Sequence, residues 1–75
     1  MNFTILLDDL NNGYQQMNIT VPIDKIVYNP NKKQSQQEIY QTNEDVLEQY
    51  FAQKAKEQNM IYLEPIFDLG GEQRE

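Results

Sequence analysis

Carboxylates and tyrosines are the side chains with which this chain could do chemistry. Its 75 residues include 12 Asp and Glu but no His and no Cys. His is the commonest general base and metal ligand near neutral pH, and Cys is needed for a thiol nucleophile, a disulfide or a thiolate zinc site. The composition therefore predicts a protein that is not an enzyme and that binds no metal or cofactor.

Paired carboxylates could still do acid–base chemistry if an enclosed site raised the pKa of one of them towards neutrality. Glu44 and Glu48 stand four residues apart, which places two like charges on one face of a helix. No His, Cys or Lys is set beside them in the sequence. These carboxylates are better interpreted as a solvated or partner-binding surface than as a catalytic pair.

The stretch from Asp8 to Gly13 resembles the beginning of a calcium-binding loop, since it carries Asp and Asn side chains and a Gly at the sixth position. However, Leu10 and Ile19 fall at the third and twelfth positions, where such a loop needs oxygen ligands. A hairpin turn is the simpler prediction for this stretch.

The net charge of −6 and the pI of about 4.4 disfavour binding to phosphate backbones and to anionic lipid. We expect this negative charge either to serve solubility alone or to form an acidic face that docks on a basic protein partner. The candidate partner-binding residues are Glu38, Glu44, Asp45, Glu48, Glu57, Glu64 and Asp68.

A second candidate surface surrounds the basic loop "NPNKKQS". Tyr28 and Tyr40 flank Lys32 and Lys33, and aromatic rings interleaved with lysines can stack the bases of single-stranded nucleic acid. The basic cluster is small and the rest of the chain is negative, so direct binding of nucleic acid is the weaker hypothesis.

The N-terminal part of the chain is predicted to form a β-hairpin, which belongs to the scaffold that positions these surfaces. Residues 2–8 and 14–21 both alternate apolar and polar side chains, which predicts two antiparallel strands. Asn12-Gly13 between them predicts a type I′ turn, in which both central residues have a positive φ.

One helix is predicted over residues 43–58, with Thr42 and Asp45 matching a capping box. Ser35 and Glu38 match the same pattern, which either begins a separate short turn or extends the helix backwards. Apolar residues spaced by three and four predict a buried stripe on this helix. They are Val46, Leu47, Tyr50, Phe51 and Ala55.

Asn59 suits the end of this helix, and "MIYLEPIF" after it has strand-like composition until Pro65 interrupts it. Residues 23–28 form either a short third strand or an irregular segment. The order β-β-(β)-α-β predicts an α+β fold, with one amphipathic helix on one face of a small antiparallel sheet. We expect a single domain over 1–68 and a flexible tail over 69–75, which contains Gly70-Gly71.

Three functions are compatible with these features. The first is a non-catalytic interaction module whose acidic helical face docks on a basic, nucleic-acid-handling protein. The second is a self-associating structural subunit, since Leu6 on the outer sheet face and an exposed strand edge could meet a second copy. The third is a weak binder of single-stranded nucleic acid through the Tyr28–Tyr40 region.

The first function is our preferred hypothesis. The abundance of Asn, Gln and Ile is typical of A/T-rich genomes and of the accessory genes of their phages and mobile elements. No apolar run approaches the roughly 20 residues that span a bilayer, and "MNFTILLDDL" has neither a basic start nor a long apolar stretch. We therefore expect a cytoplasmic location.

Overall fold

Alternating apolar residues build a three-stranded antiparallel sheet in the computed structural model, which describes residues 1–67. The elements are β1 (Asn2–Asp9), β2 (Gly13–Thr20), a 3-10 turn (Ile23–Lys25), α1 (Gln36–Thr42), α2 (Glu44–Glu57) and β3 (Ile61–Ile66). The strand order is β2-β1-β3, so β1 is central and both of its neighbours are edge strands. This confirms the α+β fold, with two helices where the sequence predicted one.

The hairpin closes differently from the prediction. The N–H of Asn12 donates to the carbonyl of Asp9 at 3.0 Å, and Gly13 has a φ of 84° whereas Asn12 has no positive φ. The type I′ turn at Asn12-Gly13 was therefore wrong. The carboxylate of Asp9 also accepts from the side chain of Asn12 and the N–H of Asn11, each at 3.0 Å. These bonds stabilise a turn that requires a positive φ only at the glycine.

No third strand forms within residues 23–28. Pro22 precedes the short 3-10 turn, and the chain then runs along the helices as an irregular segment held by side-chain contacts. The sheet consequently receives its third strand from β3, which pairs with the other edge of β1.

The Ser35 signal begins a helix of its own. The hydroxyl of Ser35 accepts from the N–H of Glu38, and the Glu38 carboxylate accepts from the N–H of Ser35, which completes a capping box. The predicted cap at Thr42 was wrong, since its hydroxyl donates to the carbonyl of Glu38 inside α1. Asn43 instead separates α1 from α2, with its carbonyl accepting from Leu47 at 2.8 Å.

The end of α2 agrees with the sequence prediction for Asn59. This residue has a φ of 61°, its N–H donates to the carbonyl of Lys56, and the N–H of Met60 donates to that of Ala55, both at 2.9 Å. The two bonds form a Schellman motif, which ends a helix with one residue in the left-handed region. The chain then turns directly into β3.

The strand β3 carries two irregular features. Leu6 pairs with Glu64 and Leu7 with Tyr62, so Leu63 is an extra residue that forms a bulge. Pro65 does not interrupt the strand as expected but lies within it. A proline is tolerated there because an edge strand needs no donor on its outer side.

Both helices cover one face of the sheet and enclose a single core. Its buried members are Phe3, Ile5, Leu7, Ile19, Val21, Ile39, Tyr40, Leu47, Phe51 and Ala55. Phe51 is central, with ring centroids 5.5 Å from Phe3, 5.5 Å from Tyr62 and 6.5 Å from Tyr40. Burying such rings supplies much of the stability of so short a chain. The opposite face of the sheet has no helix on it within residues 1–67.

Candidate protein-docking site

The junction between α1 and α2 is built around one buried polar side chain. The amide of Asn43 accepts from the N–H of Val27 at 2.6 Å and donates to the carbonyl of Val27 at 3.0 Å. It also donates to the carbonyl of Ile39 at 2.8 Å. Asn43 thereby ties the irregular segment to the helix junction and fixes Val27 beside the first turn of α2.

A groove of about 390 Å³ opens at this junction. Its lining consists of Val27, Gln41, Thr42, Asn43, Glu44, Asp45 and Val46. Val27 is 69% and Val46 is 48% exposed, which is high for aliphatic side chains. The groove therefore combines an apolar surface with two carboxylates at its side.

The carboxylates of Glu44 and Asp45 belong to the first turn of α2. Negative side chains are stabilised there by the free N–H groups and the dipole of the helix. The ion pair found in residues 1–67 joins Lys54 to Glu57 at 3.9 Å, so neither Glu44 nor Asp45 has a cationic partner in that part of the chain. Both are available to a cation brought by another molecule.

The other predicted acidic residues do not share this position. Glu48 accepts a hydrogen bond from the hydroxyl of Tyr40 at 2.9 Å, and Glu38 is engaged in the cap of α1. Glu57 stands twelve residues beyond Asp45, which is about 18 Å along a helix. The remaining two are placed otherwise: Glu64 pairs with Leu6 on the open sheet face, and Asp68 lies outside the described residues.

The second candidate surface does not present two open rings. Tyr40 is buried, and its ring is parallel to that of Phe51. The pKa of its hydroxyl is raised, chiefly by burial. Tyr28 is half-buried against the core. Lys32 and Lys33 are exposed. The ring of Tyr40 is too buried to stack a base beside them.

Of the seven residues that line the groove, the sequence indicated only Glu44 and Asp45 as site residues. Val46 was predicted to be in the core and is not. Leu47, Phe51 and Ala55 are buried at intervals of four, and Val46 is rotated about 100° from Leu47 around the helix axis. This offset of Val46 from the buried stripe was the one signal of the groove that the sequence offered. Nothing local in the sequence indicates that Val27 lies at this junction.

Two other kinds of feature were sought in the described residues. Within residues 1–67, no three or more Asp, Glu, His or Cys side chains stand close enough to hold a metal ion, and no helix there is long and apolar enough to cross a membrane. No protein-family model, curated protein or solved structure matches the chain.

Proposed function

We propose that this chain is a non-catalytic interaction module that binds a basic segment of a protein partner in the groove at the α1–α2 junction. The observation that carries the proposal is the association of two exposed valines, Val27 and Val46, with two carboxylates that lack a cationic partner in residues 1–67. An apolar surface beside fixed anions fits a side chain that is both aliphatic and cationic.

Lys and Arg have this character, since their aliphatic stems pack on apolar surface while the charged head reaches a carboxylate. A Leu, Ile or Val next to such a residue would add apolar area over Val27 and Val46. The expected recognition element is thus short, with at least one cation and one aliphatic residue close together.

The other carboxylates act at longer range in this proposal. Glu48, Glu57, Glu64 and Asp68 add to the net charge of −6, which would attract a basic partner and speed its association. A partner that handles nucleic acid has such a surface, and occupying it would compete with nucleic acid. The cytoplasmic location and the role as a phage or mobile-element accessory protein are supported by composition alone.

Selection of displayed random dodecapeptides on the immobilised protein tests this proposal. The wild-type protein should retain peptides that combine Lys or Arg with Leu, Ile or Val, and lose them at high salt because ion pairs are screened. Two variants should lose these peptides: Glu44→Gln with Asp45→Asn, and Val27→Ser with Val46→Ser.

A matched control separates the groove from overall charge. Glu57→Gln with Glu64→Gln also removes two negative charges, but at positions away from the groove. This variant should retain the peptides. The proposal is contradicted if the selection enriches no peptide, or if both double charge variants weaken binding equally.

A further inference from the structure

The two edges of the sheet are protected to different degrees. The strand β3 carries a bulge at Leu63, a charge at Glu64 and a proline at Pro65, and all three features discourage pairing with another strand. The strand β2 has none of them. Its eight residues pair with β1 in unbroken register and include no charged residue and no proline.

The backbone groups on the outer side of β2 can be assigned from its pairing. Met1 and Val21 exchange both hydrogen bonds, at 2.9 and 2.7 Å. Exchanging pairs alternate along an antiparallel ladder, so the odd-numbered residues of β2 bond to β1. The even-numbered residues, Tyr14 to Thr20, direct their N–H and C=O groups outward. The hydroxyl of Tyr50, 3.3 Å from the carbonyl of Thr20, agrees with this assignment.

We infer that β2 pairs with β2 of a second copy, antiparallel across a two-fold axis at Met17. In this register Gln16 faces Asn18 and Tyr14 faces Thr20 of the other copy, and all four residues turn towards each other the backbone groups that β1 does not use. The Oδ1 of Asn18 already accepts from the hydroxyl of Thr4 at 2.8 Å, which leaves its amide N–H groups for Gln16 of the other copy. The carbonyl of Thr20 retains a second lone pair.

Charge favours this edge over the rest of the surface. Each copy carries −6, so two copies repel wherever their carboxylates approach. The strip from Gly13 to Thr20 is uncharged and lets the backbones meet without opposing two anions. A single strand pair is a small interface, and we expect a dissociation constant between roughly 1 µM and 1 mM.

The two-fold axis stands perpendicular to the sheet, so both helix layers lie on the same side of the resulting six-stranded sheet. The dimer would present both junction grooves on one face. This pairing is independent of what the grooves bind, since it uses only the exposed edge of β2.

Sedimentation equilibrium and a cysteine variant test the pairing. The mass should rise from 8.9 kDa towards twice that value as the protein approaches about 1 mM. Because the chain has no cysteine, Met17→Cys provides a single thiol that meets its copy at the axis, where the Cα atoms of a non-hydrogen-bonded pair are about 4.5 Å apart. Oxidation should give disulfide-linked dimers. A constant 8.9 kDa mass at all concentrations overturns the inference.

Edge variants identify the strand involved. Gln16→Pro removes an outward N–H that β1 does not use, and should raise the dissociation constant at least about tenfold. Gln16→Lys should do the same if the proline variant fails to fold. Leu63→Lys is the matched control, since it adds the same charge on the other edge and should leave dimerisation unchanged. Dimers that Leu63→Lys abolishes and Gln16→Lys leaves intact would overturn the assignment.

Discussion

One side-chain amide, that of Asn43, satisfies both backbone groups of Val27, accepting at 2.6 Å and donating at 3.0 Å. The same amide also reaches the carbonyl of Ile39 in the preceding helix. Sixteen positions of chain separate the two residues, so this pairing holds a long loop against the start of α2. The shape of the groove depends on it.

Asn43→Ala should therefore destabilise the fold by about 2–3 kcal/mol, since it removes three hydrogen bonds and leaves the buried carbonyl of Ile39 without that donor. Urea denaturation followed by circular dichroism measures the change. Asn31→Ala, in the exposed loop, is the matched control and should stay within about 0.5 kcal/mol of the wild type. Equal stability of the two variants would show that Asn43 does not organise the junction.

The sequence predicted the strands and α2 well because their signals are local. Alternation over residues 2–8 and 14–21 placed the hairpin to within one residue, and the spacing of Leu47, Phe51 and Ala55 placed α2. The turn type was not predictable from Asn12-Gly13, because the carboxylate of Asp9 stabilises a different closure. The capping patterns at Ser35 and Thr42 also look alike in the sequence. The fold shows that the hydroxyl of Ser35 caps a helix and that of Thr42 does not.

Asn59 should respond to substitution according to its φ of 61°. Asn59→Ala should cost about 1 kcal/mol, since a Cβ residue without a short polar side chain is strained in the left-handed region. Asn59→Gly should be as stable as the wild type or more stable by up to about 1 kcal/mol. The same thermal or urea unfolding curves compare the two, and an equal loss in both would exclude a backbone cause.

Tyr62 should limit stability at alkaline pH. Its hydroxyl is buried without a hydrogen-bond partner, and burial, followed by the neighbouring Tyr40, raises its pKa above the ordinary 10.0. Well below pH 10 both the folded and the unfolded chain keep this proton. Above it the unfolded chain loses the proton first, so stability falls as the pH rises towards the folded pKa.

Tyr62→Phe removes this group, and should shift the alkaline unfolding midpoint upward while leaving neutral stability unchanged or up to about 1 kcal/mol higher. Unfolding curves from neutral to strongly alkaline pH measure both quantities. Tyr14→Phe, which removes an exposed hydroxyl, serves as the control. A loss of stability at neutral pH in Tyr62→Phe would mean that the hydroxyl makes a favourable bond.

The candidate site was only half predictable from sequence. Glu44 and Asp45 were named because acids at a helix start stand out in any sequence. Val27 could not be identified from the sequence, since only the long-range hydrogen bonds of Asn43 bring it to the junction. Tyr40 was expected to be a surface ring, but it is a buried residue of α1 whose ring lies parallel to that of Phe51.

Amide chemical-shift mapping of the isotope-labelled protein, titrated with the best selected dodecapeptide, shows directly whether a basic peptide binds in the groove. We expect shifts concentrated at Val27 and residues 41–46. They should saturate at low salt and be strongly reduced at about 0.3 M salt, where the screening length is only about 5–6 Å. The Glu57→Gln, Glu64→Gln variant should give the same map. Shifts confined to the sheet, or spread over the whole acidic surface with no focus at the groove, would show that the groove is not the binding site.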